Sequence, residues 1–169
     1  MEINWLIHIV AALVPMIVGF IWYNPSVFGT TWMNGVGLTE ERIRTGNMPM
    51  IFGLSFLMAL LLSFTYKFLG DHHFAFQAFF RPVEEHGMGV DASSAFGAEL
   101  QGIIDAYGVR FHTWSHGLAH SIMITCFVLL PVMATVALFE RRSFKTFLIN
   151  WGYWVITIAI MFMILAQWG

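Results

Sequence analysis

The sequence predicts an all-α polytopic membrane protein: a bundle of four transmembrane helices with a long outer loop that carries a short amphipathic helix. Apolar residues make up 58% of the 169 residues and charged residues only 11%, and the mean hydropathy is +0.71. Soluble domains contain about 45–50% apolar and about 25% charged residues. The apolar residues also gather in four uncharged stretches of helix length, and none of these alternates polar and apolar residues as a barrel strand would.

The four predicted spans cover residues 5–23, 48–66, 117–139 and 147–168, and we treat 1–169 as a single membrane domain. Each approaches the roughly 20 residues that a helix needs to cross about 30 Å of hydrocarbon. The first stretch is not typical of a signal peptide, because Glu2 precedes it, no Lys or Arg does, and no small-residue cleavage site follows. We therefore expect it to remain as a transmembrane helix.

The two longer connections differ in character. Residues 24–47 contain the apolar anchors Phe28, Trp32 and Met33 and a helix-capping Thr39, which predicts a segment lying along the cytoplasmic membrane surface. The insertion at about 70–111 contains one apolar stripe with the spacing of a helix, formed by Phe96, Leu100, Ile103, Ile104 and Tyr107. Without Lys or Arg, this helix is expected to cap the bundle or a partner protein rather than bind anionic lipid.

Basic residues predict the orientation. An even number of spans places both termini on one side, and the two connections on the other side hold Arg42, Arg44, Arg141, Arg142 and Lys145. The long loop holds six acidic residues. The positive-inside rule therefore places the short connections in the cytoplasm and the termini with the long loop outside.

Small residues at helical spacing predict close helix packing within the bilayer. These seams are Ala11, Pro15 and Gly19; Ser55, Ala59 and Ser63; Gly117, Ser121 and Thr125; and Gly152, Ala159 and Ala166. Pro15 and Pro131 lie well inside their spans, where a missing backbone N–H is expected to kink the helix.

The seven histidines all fall on the predicted outer side, which makes them the main candidates for chemistry. His112, His116 and His120 are spaced i, i+4 and i+8, so they share one stripe if the helix starts early enough. Neutral imidazole binds zinc, copper or haem iron, and His8 or the pair His72 and His73 would complete such a site, with Asp105 behind it. The alternative is a structural or proton-responsive cluster, hydrogen-bonded to neighbouring helices.

Other chemistry is not indicated. The sequence contains no Walker loop, GxGxxG, GxSxG, CxxC or paired intramembrane carboxylates. With 8 basic and 10 acidic residues it carries no electrostatic footprint for nucleic acid. Cys126 is the single cysteine and cannot form an internal disulfide. The sequence therefore names no catalytic residue and favours a protein that is not an enzyme.

Two stretches of the chain, 3–66 and 112–168, resemble the bacterial domain-of-unknown-function 1761 family of small four-helix integral membrane proteins. The resemblance rests on these motifs: Trp22-Tyr23-x-Pro25, Phe28-Gly29, Trp32-Met33, Gly37-Leu38-Thr39-Glu40-Glu41, His116-Gly117, Leu138-Phe139-Glu140-Arg141-Arg142, Leu148-Ile149-Asn150 and Gly152-Tyr153. It implies a multi-pass protein of the bacterial inner membrane and transfers no site residue. The chain departs from the family pattern at about 70–110, where relatives look shorter.

Three functions are the main candidates on the sequence, and an unrecognised enzyme that acts on lipid is a fourth. The first is a non-enzymatic homo-oligomer or an accessory subunit of a larger membrane complex, whose partners are the bilayer and other membrane subunits. The alternative is a metal- or haem-binding protein that uses the outer histidines. The second alternative is a small transporter or channel, although the spans offer few polar residues to line a path.

Overall fold

The computed structural model of the protein describes residues 3–72, 95–107 and 111–169, and these residues form helices joined by turns, without a strand. In chain order the elements are α1 (Trp5–Trp22), α2 (Gly29–Val36), α3 (Glu40–Arg44), α4 (Met48–Leu69), α5 (Ala95–Tyr107), α6 (Trp114–Ile124), a π-helical segment (Thr125–Leu129), α7 (Leu130–Phe139) and α8 (Phe144–Trp168). Among the described residues, four helices are long and apolar enough to cross a membrane: α1, α4, α8 and the continuous helix Trp114–Phe139. The predicted all-α chain with four spans is confirmed.

Three of these helices are longer than hydropathy predicts, and caps explain two of the differences. The Thr113 side chain accepts a hydrogen bond from the backbone N–H of His116 (3.3 Å), which starts α6 three residues early. Ser143 does the same for Thr146 (3.2 Å) at the start of α8. Hydropathy measures the length of the uncharged apolar stretch. The boundaries of a helix lie instead where the unpaired backbone groups of its terminal turns find hydrogen-bond partners. The third difference is at the end of α4, which continues past Lys67 to Leu69.

Helix α8 lies at the centre of the packing. It contacts α1 on one side and α6 on another, and α1 in turn packs along α4. The buried core is formed by Ala11, Val14, Tyr66, Ile158, Met161, Phe162, Leu165 and Ala166. The close approach of α6 to α8 requires Gly117, because a Cβ there would collide with the backbone carbonyl of Phe162. The small-residue seams therefore lie largely between helices of this one chain.

The chain directions place the start of α1, the end of α4, the start of α6 and the end of α8 together. Asn4 Nδ2 donates to the Trp168 carbonyl (3.1 Å), and the rings of Trp114 and Trp168 lie 4.7 Å apart. We call this the histidine end, and the opposite end, which holds α2, α3 and the turn before α8, the arginine end. Both described chain ends lie at the histidine end, as the even number of spans predicts.

Pro131 follows a π-helical segment rather than a regular turn. Proline supplies no backbone N–H, and in the turn before it the Thr125 carbonyl accepts from the N–H of Leu130, the i to i+5 bond of a π-helix. Trp151 Nε1 of α8 donates to the same carbonyl (3.2 Å). The Pro15 carbonyl likewise accepts from the Tyr153 hydroxyl (2.9 Å). Side chains of α8 thus support both spans near their prolines.

The connection between α1 and α4 is folded against the arginine end. Asn150 Oδ1 of α8 accepts from Trp32 Nε1 (2.9 Å) and from the Tyr23 hydroxyl (3.2 Å). In α2, a Cβ on Gly35 would collide with the Thr146 side chain, so glycine permits this docking. The connection is therefore an integral part of the fold rather than a free linker.

The predicted amphipathic helix of the outer insertion is present as α5. Of its apolar stripe, Ile103 and Tyr107 are exposed, and the expected cap on the bundle or on a partner protein stays a prediction. The side chains of the other three stripe residues, and residues 73–94 and 108–110, lie outside the described part of the chain.

Candidate metal centre

A tight turn at the end of α4 sets up the candidate site. The backbone N–H groups of Gly70 and Asp71 both donate to the Tyr66 carbonyl (2.7 and 3.1 Å), which ends the helix. Lys67 Nζ forms an ion pair with the buried carboxylate of Asp71 (2.7 Å). Charge pairing at i and i+4 holds the turn closed. As a result, His72 leaves the turn facing the first turns of α6.

Three histidines meet at this point. His72, His116 and His120 each offer a ring nitrogen, and the three nitrogens lie within 4.8 Å of one another. The ring centroids are 4.9 Å apart for His72 and His116, and 4.5 Å apart for His116 and His120. All three side chains are half-buried. Two ligands come from adjacent turns of one face of α6, and the third comes from the turn that follows α4.

A backbone hydrogen bond selects the tautomer of the His116 ring. Its Nε2 lies 3.0 Å from the Gly70 carbonyl oxygen. A carbonyl only accepts, so Nε2 carries the proton and Nδ1 of the neutral ring keeps its lone pair. Histidines that bind metals usually donate their other N–H to a carbonyl or carboxylate in this way. The bond therefore leaves one ligand atom of His116 available.

The electrostatics at His72 favour the neutral ring. Burial lowers the pKa of the His72 imidazole from its ordinary value of 6.5, and His116 lowers it further, while the Asp71 carboxylate acts in the opposite direction. At neutral pH this side chain is therefore uncharged. Neutral imidazole is the form that coordinates metal ions.

The donor set fits one small cation. Bonds of 2.0–2.1 Å to a tetrahedral ion would bring the nitrogens to about 3.3 Å from one another, so modest side-chain rotation suffices. Three imidazoles leave a fourth position open, the pattern of zinc sites that hold a water or a substrate. Zinc and copper both suit an all-imidazole set. Haem fits less well, because its axial ligands approach an extended flat ring, whereas these three nitrogens converge on a point.

The other predicted ligands lie elsewhere or outside the described residues. His8 is buried in the interface between α1 and α4, where Nδ1 lies 2.8 Å from Ser63 Oγ and the ring stacks on Phe64. His112 precedes the capping residue Thr113, so it is not on the helical stripe of His116 and His120. His73 lies outside the described residues. Asp105 is exposed and accepts from Gln101 (2.7 Å).

Sequence reasoning missed the groups that support the cluster. The Gly70 carbonyl and the ion pair of Lys67 with Asp71 orient the ligands without being ligands themselves. The i, i+4 spacing of a basic and an acidic residue at the end of a span was visible in the sequence. The carbonyl partner was not, because it depends on how α4 and α6 meet.

Comparison with known proteins gives a family and no closer relative. A family model described as "Protein of unknown function (DUF1761)" matches residues 6–166. The matched range includes all three clustered histidines and the four long helices almost entirely. Neither a curated protein nor a solved structure matches the chain.

Proposed function

The chain belongs to the DUF1761 family of proteins of unknown function, and from its geometry we propose that it is a membrane protein that binds a divalent metal ion. The ligands are His72, His116 and His120. The observation that supports this most directly is the convergence of their three ring nitrogens within 4.8 Å. Zinc is the ion that the set fits with an open fourth position, and copper is its main competitor.

The surroundings of the cluster support the same function. The ring of His116 is oriented by the Gly70 carbonyl, and the turn that presents His72 is held by the ion pair of Lys67 with Asp71. One ligand follows the end of α4 and two lie in the first turns of α6, so a bound ion would join these two helix ends. These two helices otherwise pack mainly against other partners.

Metal binding is testable on the purified protein. The protein is expressed with a tag that contains no histidine, solubilised in mild detergent and stripped with EDTA. Zn²⁺ is then titrated in competition with a chromophoric chelator, and bound metal is counted by mass spectrometry after gel filtration. We expect about one Zn²⁺ per chain, and a Co²⁺-loaded sample with the visible absorption of a four-coordinate site.

Matched variants distinguish Zn²⁺ binding at this cluster from Zn²⁺ binding to other histidines of the chain. His116→Gln and His120→Gln should weaken Zn²⁺ binding by at least about 100-fold, because a lost ligand matters more than a lost supporting contact, which costs 10–100-fold. His112→Gln, at the residue immediately before the capping Thr113 of α6, should bind as the parent protein does. A parent protein that binds neither Zn²⁺ nor Cu²⁺, or equal losses in all three variants, overturns the proposal. Melting temperatures of the metal-free variants check that each is folded.

The location we propose is the bacterial inner membrane, with the histidine end outside. Arg42, Arg44, Arg141, Arg142 and Lys145 all belong to the arginine end. The positive-inside rule favours a cytoplasmic position for that end. The metal would then be acquired from the periplasmic side.

The homo-oligomer or accessory subunit suggested by the sequence stays a prediction. The small-residue seams behind it are used largely within the chain, since Ala11, Ala59, Gly117, Ser121 and Ala166 are buried between its own helices. Any contact with another subunit would use the apolar faces left exposed on α4 and α7. The mass of the detergent-solubilised protein measures this directly.

A further inference from the structure

A cavity lies at the arginine end, at the opposite end of the spans from the histidine cluster. It has a volume of about 640 Å³ and lies between the second half of α1, the first half of α4 and the α2–α3 connection. Its walls are mainly apolar, with Pro15 and Gly19 on one side and Ile51 and Ser55 on the other. Pockets of about 300–1,000 Å³ with mostly apolar walls are typical of small-molecule sites.

The cavity exists because α1 and α4 pack closely only at the other end. There, Ala11 and Ala59 are buried and His8 is bonded to Ser63. Towards the arginine end, the surfaces of the two helices line a gap instead. Phe20 and Phe52, two of its wall residues, are exposed, so the gap is accessible from the lipid side of the protein.

The charge of the cavity is positive. Arg42 of α3 is the one charged residue in its described lining. The two ion pairs found among the described residues join Lys67 to Asp71 and Arg142 to Glu140, so neither uses Arg42. The tyrosine and tryptophan side chains of the lining already donate their polar hydrogens: Tyr23 and Trp32 to Asn150 Oδ1, and Tyr153 to the Pro15 carbonyl. Arg42 is therefore the group available to bind an anion.

We propose that this cavity binds one anionic phospholipid, with an acyl chain between α1 and α4 and its phosphate on Arg42. The arrangement matches an amphiphile: an apolar slot open to the bilayer, with a single cation where the slot meets the membrane surface. Guanidinium binds phosphate through paired N–H groups. Basic residues next to a membrane attract anionic lipid in the same way. This site is independent of the metal site at the histidine end.

Lipid exchange in nanodiscs or detergent measures the binding. The full chain is delipidated and titrated with phosphatidylglycerol or with phosphatidylcholine of the same acyl chains, and bound lipid is counted by native mass spectrometry. We expect one phosphatidylglycerol retained per chain, with a preference over phosphatidylcholine. Arg42→Gln should reduce that preference about five-fold, the effect of one basic residue near an anionic surface. Arg44→Gln, on the same short helix but outside the lining, is the matched control and should keep it.

A second pair of variants tests the slot itself. Ser55→Phe fills the cavity from its wall and should abolish retention of the lipid. Gly53→Phe adds the same bulk two residues earlier, at a position with open space around it, and should not. Equal retention of both lipids by the parent, equal effects of Arg42→Gln and Arg44→Gln, or recovery of a free fatty acid as the bound species each overturns the proposal.

Discussion

His8 Nδ1 and Ser63 Oγ lie 2.8 Å apart in the buried interface between α1 and α4. The Ser63 hydroxyl also donates to the Leu60 carbonyl (2.6 Å), so its oxygen accepts the proton on His8 Nδ1. The histidine that the sequence offered as a metal ligand is thereby bonded within the packing of two spans. Its role is to join α1 to α4.

Removing this partner should destabilise the protein. Ser63→Ala leaves the imidazole N–H of His8 buried without an acceptor, at a cost of about 1–3 kcal/mol. Thermal unfolding in detergent should show a lower melting temperature, with Zn²⁺ affinity unchanged. Ser55→Ala, two turns away on the same helix and exposed, is the control. An unchanged melting temperature for Ser63→Ala would mean that the bond contributes little.

Gly117 should not tolerate even a methyl group. A Cβ at this position would collide with the Phe162 carbonyl and press against Ala166, so α6 and α8 would have to separate. Overpacking of this kind costs about 1–3 kcal/mol. Gly117→Ala should therefore lower the melting temperature, whereas Gly53→Ala, which faces open space, should leave it nearly unchanged. Equal behaviour of the two variants would contradict the close packing of these helices.

Asn150 should hold the α1–α4 connection in place. Asn150→Leu removes the acceptor shared by Trp32 and Tyr23 and leaves two donors without a partner. Release of the connection should speed tryptic cleavage after Arg42 and Arg44, measured by the time course of fragments in detergent. Gln167→Leu, which replaces an amide by leucine at the other end of α8, is the matched control and should leave the cleavage rate unchanged. Identical cleavage rates in the two variants would show that Asn150 does not secure the connection.

The proposed orientation predicts opposite labelling of the two ends. In a Cys126→Ser background, Gly169→Cys should react in intact cells with a maleimide that does not cross the inner membrane. Arg44→Cys should react only after the membrane is permeabilised. Both positions are exposed, so burial does not explain a difference. The reverse pattern would place the histidine end in the cytoplasm.

The four spans could be predicted from sequence because hydropathy reports directly on the solvent that a helix faces. Their ends could not, because Thr113 and Ser143 set them through hydrogen bonds that hydropathy does not measure. Pro131 predicted that the backbone hydrogen bonding of the third span is interrupted. The sequence did not show its π-helical form, in which the Thr125 carbonyl accepts both from the Leu130 N–H and from Trp151 Nε1.

The candidate site could be predicted only in part. Spacing along one helix brought His116 and His120 together, since residues four apart share a face. His112 dropped out because Thr113 caps the helix after it. The sequence offered His72 as one of several possible further ligands. It reaches the site because of the turn that the ion pair of Lys67 with Asp71 holds, and the sequence did not show that turn. The spacing of residues along one helix therefore predicted which side chains share a face. It did not predict which side chains meet between two helices.

The central place of α8 has a consequence for biogenesis. The helix that contributes Ile158, Met161, Phe162 and Leu165 to the core is the last of the four to leave the ribosome. Until it is inserted, the α1–α4 hairpin has its internal contacts, whereas α6 lacks the surface against which Gly117 packs. A nascent chain stalled before residue 144 would therefore present its third span to the membrane's quality-control proteases without its main partner.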